Sequence, residues 1–235
     1  MYYLSVIIPC YNESENISEI YNKLSRFDND IEIVFVDNGS TDNTAERISE
    51  IIAEKNSSNI KCVTVTKNIG YGHGIMSGVN SASGEILSWT HADLQTDPSD
   101  LLEAYKVFIA HPRYPNCILK GRRVGRNFFD TMFSAGMSLL STVLLRVPLS
   151  DVNAQPKMFH RNFLKKLPNP PRDFSLDLYL LYQARSHKYP ILEFQVHFGK
   201  RLYGKSKGGG TLKGKLKLIQ RTLKYILKLT RDLGP

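Results

Sequence analysis

The apolar positions of this chain fall into short solid runs separated by amphipathic stretches. Tyr3–Pro9 (YLSVIIP) and Ile31–Val36 (IEIVFV) each read as a strand apolar on both faces, as in a parallel sheet covered by helices on either side. Asn12-Glu13-Ser14 leads from the first strand into a helix running to about Phe27. After the second strand, Asp42 caps a helix that carries Ala45, Ile48, Ile51 and Ile52 on one face. Lys61–Thr66 is a third strand, followed by the glycines 70, 72, 74 and 78. Ile86–Trp89 is a fourth. Asp97-Pro98 then opens a helix, with Asp97 as N-cap, Pro98 at its first position and Asp100 in its first turn. Strand alternating with helix through residue 110 predicts an α/β fold with a mostly parallel, doubly wound (Rossmann-like) sheet flanked by helices.

Beyond residue 110 the pattern loosens. Cys117–Gly121 and Ile191–Phe198 read as strands, and Phe174–Tyr182 as a helix with Asp173 at its start and Asp177 within it. Thr131–Leu145 carries no charge, yet it is short for a bilayer span. It reads either as a core helix or as an amphipathic helix touching acyl chains. From Leu212 an apolar stripe (Leu216, Ile219, Leu223, Ile226, Leu227) predicts a C-terminal helix. Lys213, Lys217, Arg221, Lys224, Lys228 and Arg231 lie largely off that stripe, which makes the helix basic and amphipathic.

Length changes the picture little: 235 residues make one α/β domain, residues 1–198, with an appendage at 199–235. The N-terminus has no basic region followed by an apolar one, so no signal peptide is expected. Cys10, Cys62 and Cys117 lack paired metal spacing and read as buried thiols in a reducing compartment, the cytoplasm. Charge changes the picture more. Residues 1–110 carry a net −9 and residues 111–235 a net +18, which together make the formal +9. The second half therefore expects an anionic partner. The acidic first half, and a basic tail without interleaved exposed aromatics, argue against nucleic acid.

The candidate chemistry gathers just past the fourth strand. His91, Asp93, Gln95 and Asp97 follow Ile86–Trp89 where open α/β sheets bind ligands, beyond a strand's carboxyl end. Three of them, at alternate positions, are potential cation ligands. Two phosphate-binding look-alikes are set aside. Gly72 and Gly74 lack the third glycine of a dinucleotide fingerprint, Ser77 standing in its place. Gly199–Ser206 matches a P-loop literally, but Lys207 and glycines 208–210 follow it rather than a helix. Its glycine-exposed amides, with Arg201, Lys205 and Lys207, remain suited to holding phosphates.

Pro9-Cys10-Tyr11-Asn12-Glu13, Val36–Asp42 (VDNGSTD) and His91-Ala92-Asp93-Leu94-Gln95 resemble, in order, the motifs of glycosyltransferase family 2. Asp151–Lys157 (DVNAQPK) and Arg201–Lys207 (RLYGKSK) resemble its polyprenyl-phosphate branch, that of the dolichyl-phosphate mannose synthases. The resemblance implies a GT-A fold and an inverting transfer from a nucleotide sugar. It implies that Pro9, Tyr11, Glu13 and Asn68 line the donor site with Lys205 and Lys207, and that Asp37 contacts base or ribose. Asp93 and Gln95 would meet the donor diphosphate through a divalent cation, magnesium or manganese. Two positions depart from the pattern. Asn38 replaces a second Asp, with little consequence expected. His91 replaces the first Asp of D-x-D, either as a metal ligand better suited to manganese or as a hydrogen-bonding neighbour of Asp93.

A lipid phosphate has a second pKa of about 6 and attacks without a general base. The chain would then have to align two anions and neutralise the leaving diphosphate. Arg122, Arg123 and Arg126 are the candidates for the acceptor phosphate. Arg123 and Arg201 join Asp93 and Gln95 as candidate catalytic groups. The implied partners are a nucleotide-sugar donor, a polyprenyl phosphate and an anionic membrane surface, with the chain peripheral on the cytoplasmic face. One alternative keeps the fold but uses a glycan hydroxyl acceptor, with Asp177 or Asp173 as base. In the phosphate reading Asp177 is instead a solvated carboxylate on a helix surface. Another alternative is a non-catalytic nucleotide-sugar or nucleic-acid binding protein.

Overall fold

β1 (Leu4–Cys10) pairs in parallel with β2 (Ile31–Asp37), from Leu4↔Ile31 to Cys10↔Asp37, and both strands are buried almost throughout. The computed structural model describes residues 3–27, 30–56, 58–125, 128–199, 201 and 212–232. β3 (Ile60–Thr64) lies outside β2, and β4 (Ile86–Trp89) pairs with the other side of β1. With β5 (Ile118–Val124), β6 (Lys157–His160) and β7 (Ile191–His197), the sheet order is β3-β2-β1-β4-β6-β5-β7. β6 runs antiparallel to β4 and β5, while β7 is parallel to β5. The carboxyl ends of the other six strands therefore share one edge with the amino end of β6. That brings Gln155 and Lys157 beside the ends of β4 and β5.

Helices cover both faces, which is why the central strands are apolar on both sides. α1 (Ser14–Leu24), α2 (Thr44–Lys55) and α4 (Asp100–Ile109) pack Ile17, Ile20, Ile48 and Phe108 on Val6, Ile8 and Phe35. α3 (Tyr71–Ser81), α6 (Leu176–Ser186) and α7 (Leu212–Asp232) bring Ile75, Val79, Leu180 and Ile226 to the opposite face, with Ile7, Val34 and Trp89. The predicted mostly parallel α/β sheet is the one observed.

Several boundaries shift for local reasons. α4 starts at Asp100 with Ser99 as N-cap, because Asp97 closes an Asx turn on the Ser99 N–H (2.9 Å) instead of capping the helix. Asp42 likewise sits one residue before the N-cap Asn43, and its carboxylate takes the N–H of Thr44 and of Ser14. Arg122 and Arg123 lie within β5 rather than beyond it. Cys10 and Cys117 are buried and Cys62 only partly so; all three are free thiols.

The glycines that fail as a dinucleotide fingerprint serve close approach. A Cβ on Gly72 would meet the Pro171 carbonyl at 2.3 Å, and one on Gly78 would meet Ile7 at 2.6 Å. α3 thus lies tight on both the sheet and the 171–173 backbone.

The apolar run forms α5 (Phe128–Leu145), part of it turned inward and part exposed. Ser138, Ser141 and Leu145 face inward, whereas Met132, Leu139 and Val143 are exposed along one stripe. α5 packs against α7, whose Ile226 and Leu229 are buried. Leu227 departs from the predicted stripe and is exposed, as are Lys224 and Lys228. Among the described residues no helix is long and apolar enough to cross a membrane.

Candidate functional site at the carboxyl edge of the sheet

The chain leaves β1 on one side for β2 and β3 and resumes on the other with β4, which opens a crevice at the carboxyl ends of β1 and β4. The loop after β1 is held in shape by the loop after β2. Asn12, in the left-handed region at φ 55, accepts the Thr41 N–H at 2.8 Å and donates to the Thr41 hydroxyl at 3.1 Å. The Glu13 N–H donates to Thr44 Oγ1, and Asp37 accepts the Ser40 N–H. Pro9, Tyr11, Glu13 and Asp37 are thereby collected on one wall. Asn68 lies at the same rim, exposed, its backbone against Gly39. The Asn38 side-chain N–H donates to the Gly70 carbonyl at 3.1 Å, which positions the start of α3. A carboxylate could not make that bond.

The loop after β4 supplies the opposite wall. Asp93 is buried and accepts the Gln95 N–H at 3.2 Å, an Asx turn with Leu94 at φ 55. Arg201 donates to Asp93 Oδ2 at 2.7 Å and to Glu13 Oε1 at 3.4 Å, so one guanidinium bridges the two walls. Beside it, Gly199 is pinned by its N–H to Gln95 O (2.8 Å) and by the Gln95 side-chain N–H to Gly199 O (3.3 Å). Burial lowers the pKa of His91, against the opposing pull of Asp93 and Asp177, which favours the neutral imidazole. Among the described residues no group of three or more His, Cys, Asp or Glu could hold a metal ion. A cation here would take Asp93, with His91 and Gln95 nearby, and complete its shell from a ligand's oxygens. The guanidinium on Asp93 shows that this carboxylate accepts a positive charge in place, the one part of the donor set that fits such an ion directly.

Beneath the crevice lies a polar network. Asp177 is 1% exposed. It accepts from Trp89 Nε1 at 3.1 Å and Gln155 Nε2 at 3.0 Å, and it faces Lys157 Nζ at 3.7 Å. This corrects its reading as a solvated carboxylate: α6 turns it into the protein. Burial pushes the Lys157 ammonium down to about 8, with Asp177 opposing. Gln155 also donates to the Tyr71 hydroxyl at 3.0 Å. The Tyr71 ring stacks on Phe174 (4.8 Å, 10°) and tilts against His91 at 5.8 Å.

Residues 5–168 match Glycosyl transferase family 2. The chain belongs to that family. It is 30% identical over 243 residues to the dolichol-phosphate mannosyltransferase of Pyrococcus furiosus, covering 97% of this chain and 64% of the relative. It is 27% identical over 228 residues to the undecaprenyl-phosphate 4-deoxy-4-formamido-L-arabinose transferase of Enterobacter sp. strain 638, covering 87% and 62%. The chain thus spans a little under two thirds of the length of these curated relatives. Among solved structures it resembles a Pyrobaculum calidifontis mannosyltransferase in complex with GDP-Man and Mn2+ (TM-score 0.65, 20% identity, 86% of this chain and 58% of that one). It also resembles the Mycobacterium tuberculosis glucosyl-3-phosphoglycerate synthase in complex with Mn2+, UDP and glucosyl-3-phosphoglycerate (TM-score 0.74, 19% identity, 100% and 81%). At these identities the likeness concerns the fold, which is GT-A.

In this family 2 chain the expected basic residues divide. Arg123 is engaged by Asp151 through its backbone N–H (2.9 Å) and its guanidinium, and it also stacks over Phe198 at 5.4 Å. Arg122 is exposed, 3.8 Å from Glu193. Arg126, Lys205 and Lys207 lie outside the described residues. Sequence reasoning gave no role to Trp89, Tyr71, Gln155 or Lys157. Lys157 carried a signal, as a lysine directly before the apolar pair Met158-Phe159 in the strand KMFH.

Proposed function

We propose that the chain transfers a sugar, with inversion, from a nucleotide-sugar donor to a polyprenyl phosphate at the cytoplasmic face of a membrane. The observation that carries the choice of acceptor is the state of Asp177. A hydroxyl nucleophile needs a base. The carboxylate that would serve is buried, its oxygens taken by Trp89 and Gln155, with Lys157 against it. A phosphate monoester, with its second pKa of about 6, is ionised near neutral pH and needs no base. The names of the two curated relatives support the same class of acceptor.

In this reading residues 1–198 form the transferase domain, and 199–235 add phosphate-binding charge and membrane contact. Pro9, Tyr11, Glu13, Asp37 and Asn68 line the nucleotide pocket. Asp93, His91 and Gln95 hold a divalent cation, and neutral imidazole suits manganese better than magnesium. Bound there, the cation would supply positive charge to the donor diphosphate. Arg201, Lys205 and Lys207 add charge around the leaving nucleoside diphosphate, and Arg122 and Arg126 guide the acceptor phosphate, Arg123 being held by Asp151. The exposed stripe of Met132, Leu139 and Val143, with Leu227 of α7, supports contact with lipid. Lys224 and Lys228 flank Leu227, and each basic residue near an anionic surface contributes about 1 kcal/mol.

The test is incubation with a panel of labelled nucleotide sugars, with and without polyprenyl phosphate. Label should enter the organic phase for one donor, only with the lipid present. Its absence for every donor would overturn the reading.

A further inference from the structure

An acceptor with an anionic head on a long apolar chain needs a cation followed at once by apolar surface, within reach of the crevice. Most buried or half-buried cations at this edge already face carboxylates. Arg201 faces Asp93 and Glu13, Arg123 faces Asp151, Lys157 faces Asp177, and Lys120 faces Glu193 at 3.0 Å. Arg221, on α7, differs. No ion pair joins it to a carboxylate among the described residues, and its guanidinium stands 5.8 Å from the centre of the Phe174 ring. From Leu212 on, α7 has no acidic residue before Asp232.

Phe174 is itself unusual. It is 41% exposed, although it lies flat against Tyr71, one of the residues that hold the crevice floor together. Arg221, Phe174 and Tyr71 thus form a continuous wall from α7 to His91. A part-exposed aromatic ring beside a guanidinium that has no carboxylate partner among the described residues offers an apolar and an anion-binding surface side by side. α7 also packs on α5, so the exposed stripe of Met132, Leu139 and Val143 belongs to the same helix pair.

We propose that Arg221 and Phe174 form the receiving site for the junction of phosphate and first prenyl units of the acceptor. Arg221 takes the phosphate by charge-assisted hydrogen bonds, and the exposed part of the Phe174 ring takes the adjoining carbons. This rests on the polyprenyl-phosphate reading above and adds two residues to it. Arg221 steers the phosphate toward the crevice, and Phe174 selects for an apolar chain behind it.

Steady-state kinetics of the full chain with a C15 prenyl phosphate and its own nucleotide sugar test this. Arg221→Ala should raise the acceptor KM at least tenfold and leave the donor KM within twofold. Arg221→Lys, which keeps the charge, should recover part of the loss. Phe174→Ala should raise the KM for the C15 phosphate more than for a C5 phosphate, and Phe174→Leu should do so less. An unchanged acceptor KM in Arg221→Ala, or equal rises for donor and acceptor, would overturn the proposal and leave the function standing. If Arg221→Ala does not fold, the Phe174→Leu and Phe174→Ala chain-length comparison decides alone: equal effects on C5 and C15 overturn it. If wild type transfers no sugar to either prenyl phosphate, the functional reading fails, and the variants are not needed to see it.

Discussion

Trp89 donates its indole N–H to Asp177 at 3.1 Å, tying the end of β4 to the first turn of α6 beneath the crevice. Gln155 and Lys157 close on the same carboxylate from the amino end of β6. β4, β6 and α6 are thereby fixed to one buried charge. In this account the charge positions the floor and takes no proton.

Asp177→Asn separates that role from general-base catalysis. It keeps an acceptor for Trp89 but leaves Lys157 buried without its counter-charge. Stability to urea should fall by about 3 kcal/mol, the lower end for breaking a buried pair, since Lys157 and Asp177 are not in tight contact. Turnover of the folded variant should fall less than tenfold. A loss of several orders of magnitude with donor binding intact would favour a hydroxyl acceptor.

Lys157 gives a pH signature. Burial holds it at about 8 in the fold, whereas a lysine in the unfolded chain titrates near 10.4. Between those values the unfolded chain keeps a proton that the folded one has lost. This group's contribution therefore makes stability rise with pH across that window, by up to about 1.4 kcal/mol per unit, and is flat below it. The stability of Lys157→Met should lack this rise, so its difference from wild type should widen between pH 8 and 10. Parallel curves would show that Lys157 keeps its proton in the fold.

Arg201 occupies the carboxylate proposed to meet the cation. The pair is partly buried, the side chains 20% and 12% exposed. A free cation must displace the guanidinium. Arg201→Ala should bind Mn2+ alone about tenfold more tightly than wild type, equivalent to about 1.4 kcal/mol. Counting free Mn2+ by its electron-spin signal measures this without any turnover. Equal or weaker binding would mean that the ion and Arg201 do not share Asp93.

The α5 stripe is tested on vesicles. Leu139→Glu combined with Val143→Glu should reduce sedimentation with anionic vesicles, while nucleotide binding stays unchanged. Wild-type binding to anionic and neutral vesicles should differ at low salt and converge as salt rises. Undiminished sedimentation of the double variant would take this stripe out of the membrane contact.

The sheet and the loop positions at the carboxyl edge were legible because they depend on local pattern: solid apolar strands, amphipathic helices, and polar clusters after β1, β2 and β4. What the sequence hid depends on long-range pairing. Asp177 has a helical neighbourhood that fits a surface position equally well, and only the antiparallel entry of β6 brings Gln155 and Lys157 onto it. The glycines of α3 looked like a broken phosphate motif, because their partners, Ile7 and the 171–173 backbone, are distant in the chain. Asn38 looked like a neutral replacement until Gly70 appeared as its acceptor. Arg123 looked like a free phosphate ligand until Asp151 was placed beside it.

The central claim is that this crevice moves a sugar onto a phosphate oxygen. It is tested most directly by nucleoside diphosphate release from the donor in the presence of polyprenyl phosphate or the matched polyprenol. Wild type and Asp93→Asn are compared at neutral pH. Release should be rapid with the phosphate, near background with the alcohol, and nearly abolished in folded Asp93→Asn. Equal release with both acceptors, or full release by Asp93→Asn, would contradict the account.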